Sequence, residues 1–199
     1  SVRSKMKCQT PTKKERKEEW DTHNPTNSCS YLDWYFCDRK SVDYPLRDVS
    51  GRKKMEPHYE DETFNVCASC NQRYLNKAIK DGERYVFFFT KYNGQNNVLK
   101  KKFGKKYCIT GYFEIGKTKR VNWGDKWGYA IQSKKSCFYS MEDSYELKKM
   151  KRDKHGRLNA RYAKKHLNED DTKKILKHFS GKRNKIHLYT EETKNLHYE

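Results

Sequence analysis

The strongest hydrophobic pattern in the chain lies between residues 80 and 147. Residues 85–91 read YVFFFTK, an apolar, aromatic and β-branched run set between Asp81-Gly82 and Asn93-Gly94. Its length and bounding turn residues predict a strand buried on both faces or nearly so. A second run, YCITGYFEI at 107–115, is closed by Gly116, and a third β-rich segment spans 123–139 with glycines at 124 and 128. Ahead of them, NQRYLNKAIK at 71–80 sets Tyr74, Leu75, Ala78 and Ile79 on one helical face. Beyond them, Ser140 opens a capping-box-like SMED, after which Tyr145, Leu147 and Met150 recur at helical spacing. From 157 onward the pattern predicts a helical pair. The first helix carries Leu158, Tyr162 and His166 on one side; the second is capped by Asn168, with acidic residues in its first turn, and ends at Gly181.

The first third is less regular. Residues 1–27 are polar and charged, with Thr10 or Thr12 placed to cap a short helix that ends near Trp20 and docks that ring on the body. SCSYLDWYFC at 28–37 is too aromatic for a free linker, whereas 38–63, with Pro45, Gly51 and Pro57, has no sustained period and reads as an irregular excursion.

Only 34% of the residues are hydrophobic and the net charge is +19, a balance that by itself favours disorder. Leu, Ile, Val and Phe are concentrated between 84 and 147, however, where one compact core can form. The organisation expected is one core with additions: an N-terminal extension at 1–70, a β core at 71–147 and a basic helical extension at 148–199. The charge points to a polyanion, with DNA or RNA as first candidate, because each neutralised phosphate releases condensed counterions. A generally lysine-rich soluble surface is the competing explanation. No apolar run of membrane-spanning length and no signal-peptide core occur, so the chain is expected to be soluble and intracellular, with no membrane partner. It opens at Ser1, which fits a processed chain or a piece of a longer protein carrying effector domains elsewhere.

Seven cysteines, an odd count in a lysine-rich chain, argue against a disulfide framework. Cys67 and Cys70 form a CxxC, a spacing that lets two thiolates reach one tetrahedral zinc ion. Cys29 and Cys37 are the candidates for the second pair, with His58 or His23 replacing one cysteine as the variant. Such a zinc ion would be structural, tying the irregular segment to the helix that follows. Cys108 and Cys137 sit in apolar runs and read as small buried hydrophobes. His58-Tyr59-Glu60 before this CxxC imitates a zinc deaminase, but the six intervening residues leave no room for the strand and loops that chemistry needs, and Val66 stands where a proline belongs.

Helix, Asp81-Gly82-Glu83 turn, the strand through Val86 and Phe89, a basic connection and then Ile109-Thr110-Gly111-Tyr112-Phe113-Glu114-Ile115 make an order that resembles the PUA-like superfamily, especially its EVE and YTH branches. The resemblance covers 71–147. It lacks an obvious first strand-and-tryptophan segment, a part that 31–36 would supply. It implies an α+β fold, a small mixed β-barrel or sheet with flanking helices, to which this chain adds the zinc-stapled segment and the helical C-terminal extension. It also implies binding of RNA or DNA with a modified base taken into an aromatic pocket, and it makes Asn93, Trp123 and Trp127 the transferred pocket residues.

Residue chemistry points the same way. Trp123-Gly124-Asp125-Lys126-Trp127 offers two indoles in a glycine-loosened segment, Tyr92 and Asn93 close the neighbouring strand, and Tyr112 lies on the next one. A base outside its stack needs such flat π surfaces. Lys100, Lys101, Lys102, Lys105 and Lys106 in one loop, with Lys117, Lys119 and Arg120 in the next connection, are candidates to hold phosphates on one side of the pocket mouth. The expected activity is recognition of a flipped or unpaired, possibly modified base, without catalysis. Two other classes compete. One is a nucleic-acid enzyme, either a base-modifying enzyme or a nuclease using Glu146-Leu147-Lys148 as an E-x-K motif, although that motif needs a strand. The other is a zinc-stapled module that binds an acidic protein.

Overall fold

The apolar run at 85–91 is a strand, and Val86, Phe87, Phe88, Phe89 and Thr90 are all buried in it. The computed structural model describes residues 19–34, 47–49, 54–56, 66–67, 72–92, 96–104, 106–123, 126–147 and 166–187. In chain order these form β1 (Asp21–Thr22), β2 (Ser30–Trp34), β3 (Arg47–Val49), β4 (Lys54–Glu56), β5 (Val66–Cys67), α1 (Gln72–Lys80), β6 (Tyr85–Lys91), α2 (Asn97–Phe103), β7 (Tyr107–Trp123), β8 (Lys126–Phe138), β9 (Tyr145–Glu146), β10 (His166–Leu167) and α3 (Glu169–Phe179). A single 3-10 turn, Met141–Asp143, precedes β9.

Eight of the strands make one mixed sheet in the order β10-β2-β6-β7-β8-β5, with β1 and β9 added along β7. β2 runs parallel to β6 over five residues and the other pairings are antiparallel. β3 and β4 form a separate two-stranded ribbon. The fold is therefore α+β, as expected, but the sheet is open among the described residues and not a closed barrel. Its cause is visible in the core. Successive residues of a strand point to opposite faces, and β6 is apolar at both parities, so each face needs its own cover. Val86 and Phe88 pack with Tyr31, Phe113, Ile115, Ile131 and Phe138 beneath Leu75 and Ala78 of α1. Phe87 and Phe89 pack with Leu32, Ile109, Tyr112, Cys137 and Tyr139 beneath Ile175 and Phe179 of α3. A sheet sandwiched between helices has no single inner face around which to curl.

Local chemistry sets these covers in place. The turn before β6 puts Gly82 at φ 72°, a conformation that costs a side-chain-bearing residue energy, and a Cβ there would also run into Thr26. α3 begins at Asn168, whose side chain accepts from the Asp171 N–H at 2.9 Å, carries acidic residues in its first turn, and stops before Gly181 at φ 80°. Trp20 is buried, so the ring docks as expected; the helix expected ahead of it falls outside the described residues.

Several expectations are corrected. β2 lies inside the sheet between β10 and β6, and α3 is one of its two covering layers, so neither the segment before 71 nor the one after 147 is a mere addition. His166, expected on a helix, begins β10. Tyr145 and Glu146, also expected to be helical, form β9, because Cys108 and Ile109 offer them a sheet edge. The lysine-rich connection at 96–103 contains α2, capped by Asn96 and anchored by Leu99 and Phe103. We expect Phe88→Ala to cost about 3–5 kcal/mol and Asn168→Ala about 1 kcal/mol. Urea unfolding of the two variants checks the contrast, and similar losses for both would contradict the packing described.

Candidate nucleic-acid interface

β7 is the longest strand, and its partners change along its length. On one edge it pairs with β6 up to Glu114 and then with β1 at Lys117 and Thr118; on the other it pairs with β9 and then with β8. Where one partner gives way to the next, the register with β8 shifts twice, between Glu114 and Ile115 and between Ile115 and Lys117. Bulges bend a strand and re-aim its side chains. Gly116 sits at this bend, where a Cβ would meet the Lys134 backbone nitrogen at 2.9 Å and the Gln132 carbonyl oxygen at 3.2 Å. Two clefts open beside the bend. Arg84 and Lys134 line one and the next residues, Tyr85 and Lys135, line the other, as alternation along extended chain requires.

The first cleft, of about 500 Å³, lies on the α3 side. Tyr85, Tyr112, Tyr139 and Phe179 supply its aromatic walls, and Glu114, Lys135 and Lys182 its charged groups. Tyr139 and Phe179 stack at 4.1 Å, while Tyr85 meets Tyr112 edge-on at 6.1 Å. The Tyr112 and Tyr139 hydroxyls are hydrogen-bonded with each other and with the Cys137 thiol, and burial pushes both phenols well above their ordinary range. They stay protonated and present neutral hydrogen-bonding groups. Arg84 donates from Nε and Nη2 to Oε1 of Glu114 at 3.0 and 2.9 Å, and its guanidinium also lies 5.6 Å from the centre of the Tyr85 ring. One cation thereby fixes the carboxylate and the half-exposed ring beside it. Lys182 lies 3.6 Å from an Asp143 carboxylate oxygen.

The second cleft, of about 480 Å³, is lined by His23, Arg84, Glu114, Gly116, Lys117 and Lys134 among others. His23 Nε2 hydrogen-bonds to the Glu83 carbonyl oxygen at 2.7 Å. Glu83 itself is buried. Its Oε1 pairs with His166 Nδ1, linking the turn before β6 to β10, and its Oε2 has no hydrogen-bond partner among the described residues.

The expected site residues separate. Tyr112 lines the first cleft. Tyr92 does not: it is buried with Leu99, Phe103, Cys108 and Met141, and its hydroxyl accepts from the Asn96 N–H at 3.3 Å, which gives it a core role. Asn93 lies outside the described residues. Trp123 and Trp127 are in β7 and β8, opposite Lys126 and Asn122 respectively, so the register does not seat them across from each other; their side chains are outside the description. Lys100, Lys101 and Lys102 are on α2 instead of a loop, and Lys117, Lys119 and Arg120 are within β7 instead of a connection. These two basic runs lie at opposite ends of a ten-residue stretch of strand, about 30 Å apart, and do not line one pocket mouth. Lys102 is engaged with Glu142 at 2.5 Å and Lys106 with Glu146 at 3.1 Å; Lys105 is outside the description. Tyr85, Tyr139 and Phe179 were not anticipated for the site. Tyr85 was visible as the aromatic first residue of the 85–91 strand, whereas nothing local tied Phe179 to it.

Of the zinc candidates, Cys37, Cys70 and His58 lie outside the described residues, as does Glu60. Cys29 is half-buried just before β2, its thiol pushed up by burial and by the nearby Glu83 and Glu169 carboxylates. Cys67 is on β5, opposite Ile131. In the sheet order β6, β7 and β8 lie between β2 and β5. Among the described residues no group of three or more His, Cys, Asp or Glu side chains is arranged to hold a metal ion. Cys108 and Cys137 are buried, in line with their reading as small hydrophobes, and burial pushes the Cys108 thiol up to about 12. Among the described residues no helix is long and apolar enough to cross a membrane.

Compared with protein-family models, with curated proteins and with solved structures, the chain has no match.

Two predictions come from these groups. Freshly reduced protein is expected to contain zinc held by Cys29, Cys37, Cys67 and Cys70, and Cys67→Ser to lose it, read as metal content; a parent protein without metal would remove the site. Burial raises the Glu83 carboxyl above its ordinary 4.5, opposed by His166. The folded chain therefore holds a proton that the unfolded chain releases, so this contribution to stability is complete below the ordinary glutamate value and declines as pH rises through the raised one. Unfolding midpoints followed from acid to neutral pH should fall relative to those of Glu83→Gln, and parallel curves would count against it.

Proposed function

We propose that this protein is a nucleic-acid-binding module, built on a PUA-like arrangement, that takes a flipped or unpaired and in some targets modified base of intracellular DNA or RNA into the tyrosine-lined cleft. The observation that carries this reading is the cleft's composition. Aromatic rings from β6, β7, the residue after β8 and α3 surround a floor of protonated hydroxyls, with exposed Lys135 and Lys182 beside it, in a chain of net charge +19. Rings supply stacking that every base accepts, neutral hydroxyls read an uncharged edge, and lysines hold phosphates whatever the sequence. The PUA-like part of the reading is supported by the order α1, glycine turn, β6, β7 and by the presence of β2, a strand overlapping 31–36 that pairs with β6. Contacts from Lys117, Lys119, Arg120 and the α2 lysines would then lie further along the strand of nucleic acid.

The test uses single-stranded oligonucleotides and the whole chain. Affinity is expected to fall by orders of magnitude between about 50 and 200 mM salt, and a flat dependence would reject nucleic acid as the ligand. Tyr85→Ala should weaken binding by about 1–3 kcal/mol, the worth of one stacked base. Because Tyr85 is half-exposed, its melting temperature, measured alongside, should stay close to that of the parent. Unchanged affinity in a folded Tyr85→Ala protein would remove the cleft from the proposal.

A further inference from the structure

The wall of the tyrosine-lined cleft holds a carboxylate and an amine that are left for each other and yet do not pair. Glu114 and Lys135 are direct cross-strand partners in the β7–β8 ladder, and both line the cleft. Opposite charges in that position ordinarily meet. Here Arg84 has taken the carboxylate from the side of β6, with both of its hydrogen bonds on the same oxygen, Oε1. Oε2 of Glu114 accepts no hydrogen bond, and Lys135 forms no ion pair, among the described residues. The Glu114 side chain is only 15% exposed, so its free oxygen sits recessed in the cleft wall.

An ionised carboxylate only accepts, and each of its oxygens takes about two hydrogen bonds. The ligand edge that satisfies one free carboxylate oxygen best carries two neighbouring N–H donors. Adenine and cytosine offer one exocyclic amino group flanked by a ring acceptor, and uracil or thymine one ring N–H flanked by carbonyls, whose lone pairs would face the carboxylate. Guanine carries a ring N–H next to an exocyclic amino group, with its carbonyl oxygen beside them for an amine to approach. Resting on the reading of the cleft as a base pocket, we propose that the base it takes is guanine, with Glu114 accepting from the two N–H groups and Lys135 donating to the carbonyl oxygen. Arg84 is a positioning residue: it holds Glu114 through Oε1 and caps the Tyr85 ring, and does not itself touch the base.

The experiment titrates the whole chain with three trinucleotides that differ only in the central base, uridine-flanked guanosine, inosine and adenosine. Inosine is guanosine without the exocyclic amino group. Guanosine is expected to bind about tenfold or more tightly than either, the worth of one charged hydrogen bond. Glu114→Gln should erase the gap between guanosine and inosine. Lys135→Met, a change at an exposed side chain that leaves the core untouched, should weaken guanosine and inosine alike and narrow both to adenosine. If the three trinucleotides bind equally well and all lose affinity in Tyr85→Ala, the guanine assignment is overturned while the base pocket stands. If binding is indifferent to Tyr85→Ala as well, both fall. Guanosine monophosphate run beside the trinucleotide separates the two sources of the base: equal affinity marks a free nucleotide as the ligand, and weaker affinity marks guanine within a strand.

Discussion

Burial of β6 on both faces is the constraint from which the rest of the architecture follows. Four consecutive large side chains, Val86 to Phe89, leave water together, and alternate ones leave it in opposite directions. Each buried Phe contributes on the order of 1.5–3 kcal/mol only when something apolar covers it. One cover is local: α1 precedes β6 and is returned onto the sheet by the Gly82 turn. The other is distant, since Ile175 and Phe179 arrive from almost ninety residues further along. Without α3 the face bearing Phe87, Phe89, Tyr112 and Tyr139 would be a contiguous apolar patch, the kind of surface that invites aggregation. The strongly basic final third is therefore tied into the fold by two of its few large apolar side chains.

The same constraint locates the clefts. A strand enclosed on both sides leaves no access to a ligand along its middle, so openings fall where its regular pairing stops. β6 begins at Tyr85, while β7 continues well past the partner of that residue. The gap is bridged by the Arg84–Glu114 pair and bent by the Gly116 bulge. Arg84 is partly exposed, and an exposed ion pair alone contributes little to stability. Its consequence is geometric: the bond direction fixes which carboxylate oxygen is occupied and holds the guanidinium near Tyr85. A lysine at 84 would keep the charge but lose the paired contact to one oxygen, because a planar fork is what makes it.

Legibility in the sequence followed the range of the interactions involved. The 85–91 strand, the helix at 72–80, the Asp81-Gly82 turn and the Asn168 cap rest on residues a few positions apart, and each was readable. The basic stretch 117–120 carries no apolar alternation to mark it as strand, yet it is strand, since β8 pairs with it residue by residue out to Trp123. Tyr145 and Leu147 fit a helical period, but Tyr145 and Glu146 pair instead with a free edge of β7. Lys100 to Lys102 hid α2 because its anchors, Leu99 and Phe103, are one apolar pair beneath a charged surface. In the cleft, Tyr112 was nameable from a strand motif. Phe179 was not, for its place against Tyr139 depends on a helix crossing the sheet, and no spacing records that.

Charge and selectivity are separable in this molecule, on the function proposed for it. Of the lysines first expected to hold phosphates, Lys102 and Lys106 already face carboxylates; Lys100 and Lys101 are on α2, Lys117, Lys119 and Arg120 are on β7, and further cations are spread along β8 and α3. Such a distribution raises the local concentration of any polyanion over an extended surface without preferring one sequence. Preference has to come from a site that is small, partly dry and fixed in shape. The tyrosine-lined cleft meets those conditions because its hydroxyls are already bonded to one another and its carboxylate is already held by Arg84. Polar groups held in this way reorganise little when a ligand arrives, so a mismatched edge leaves them unpaired at a cost of about 1–3 kcal/mol each. Long-range attraction then governs how often a strand is met, and the short-range cost of mismatch governs which base is retained.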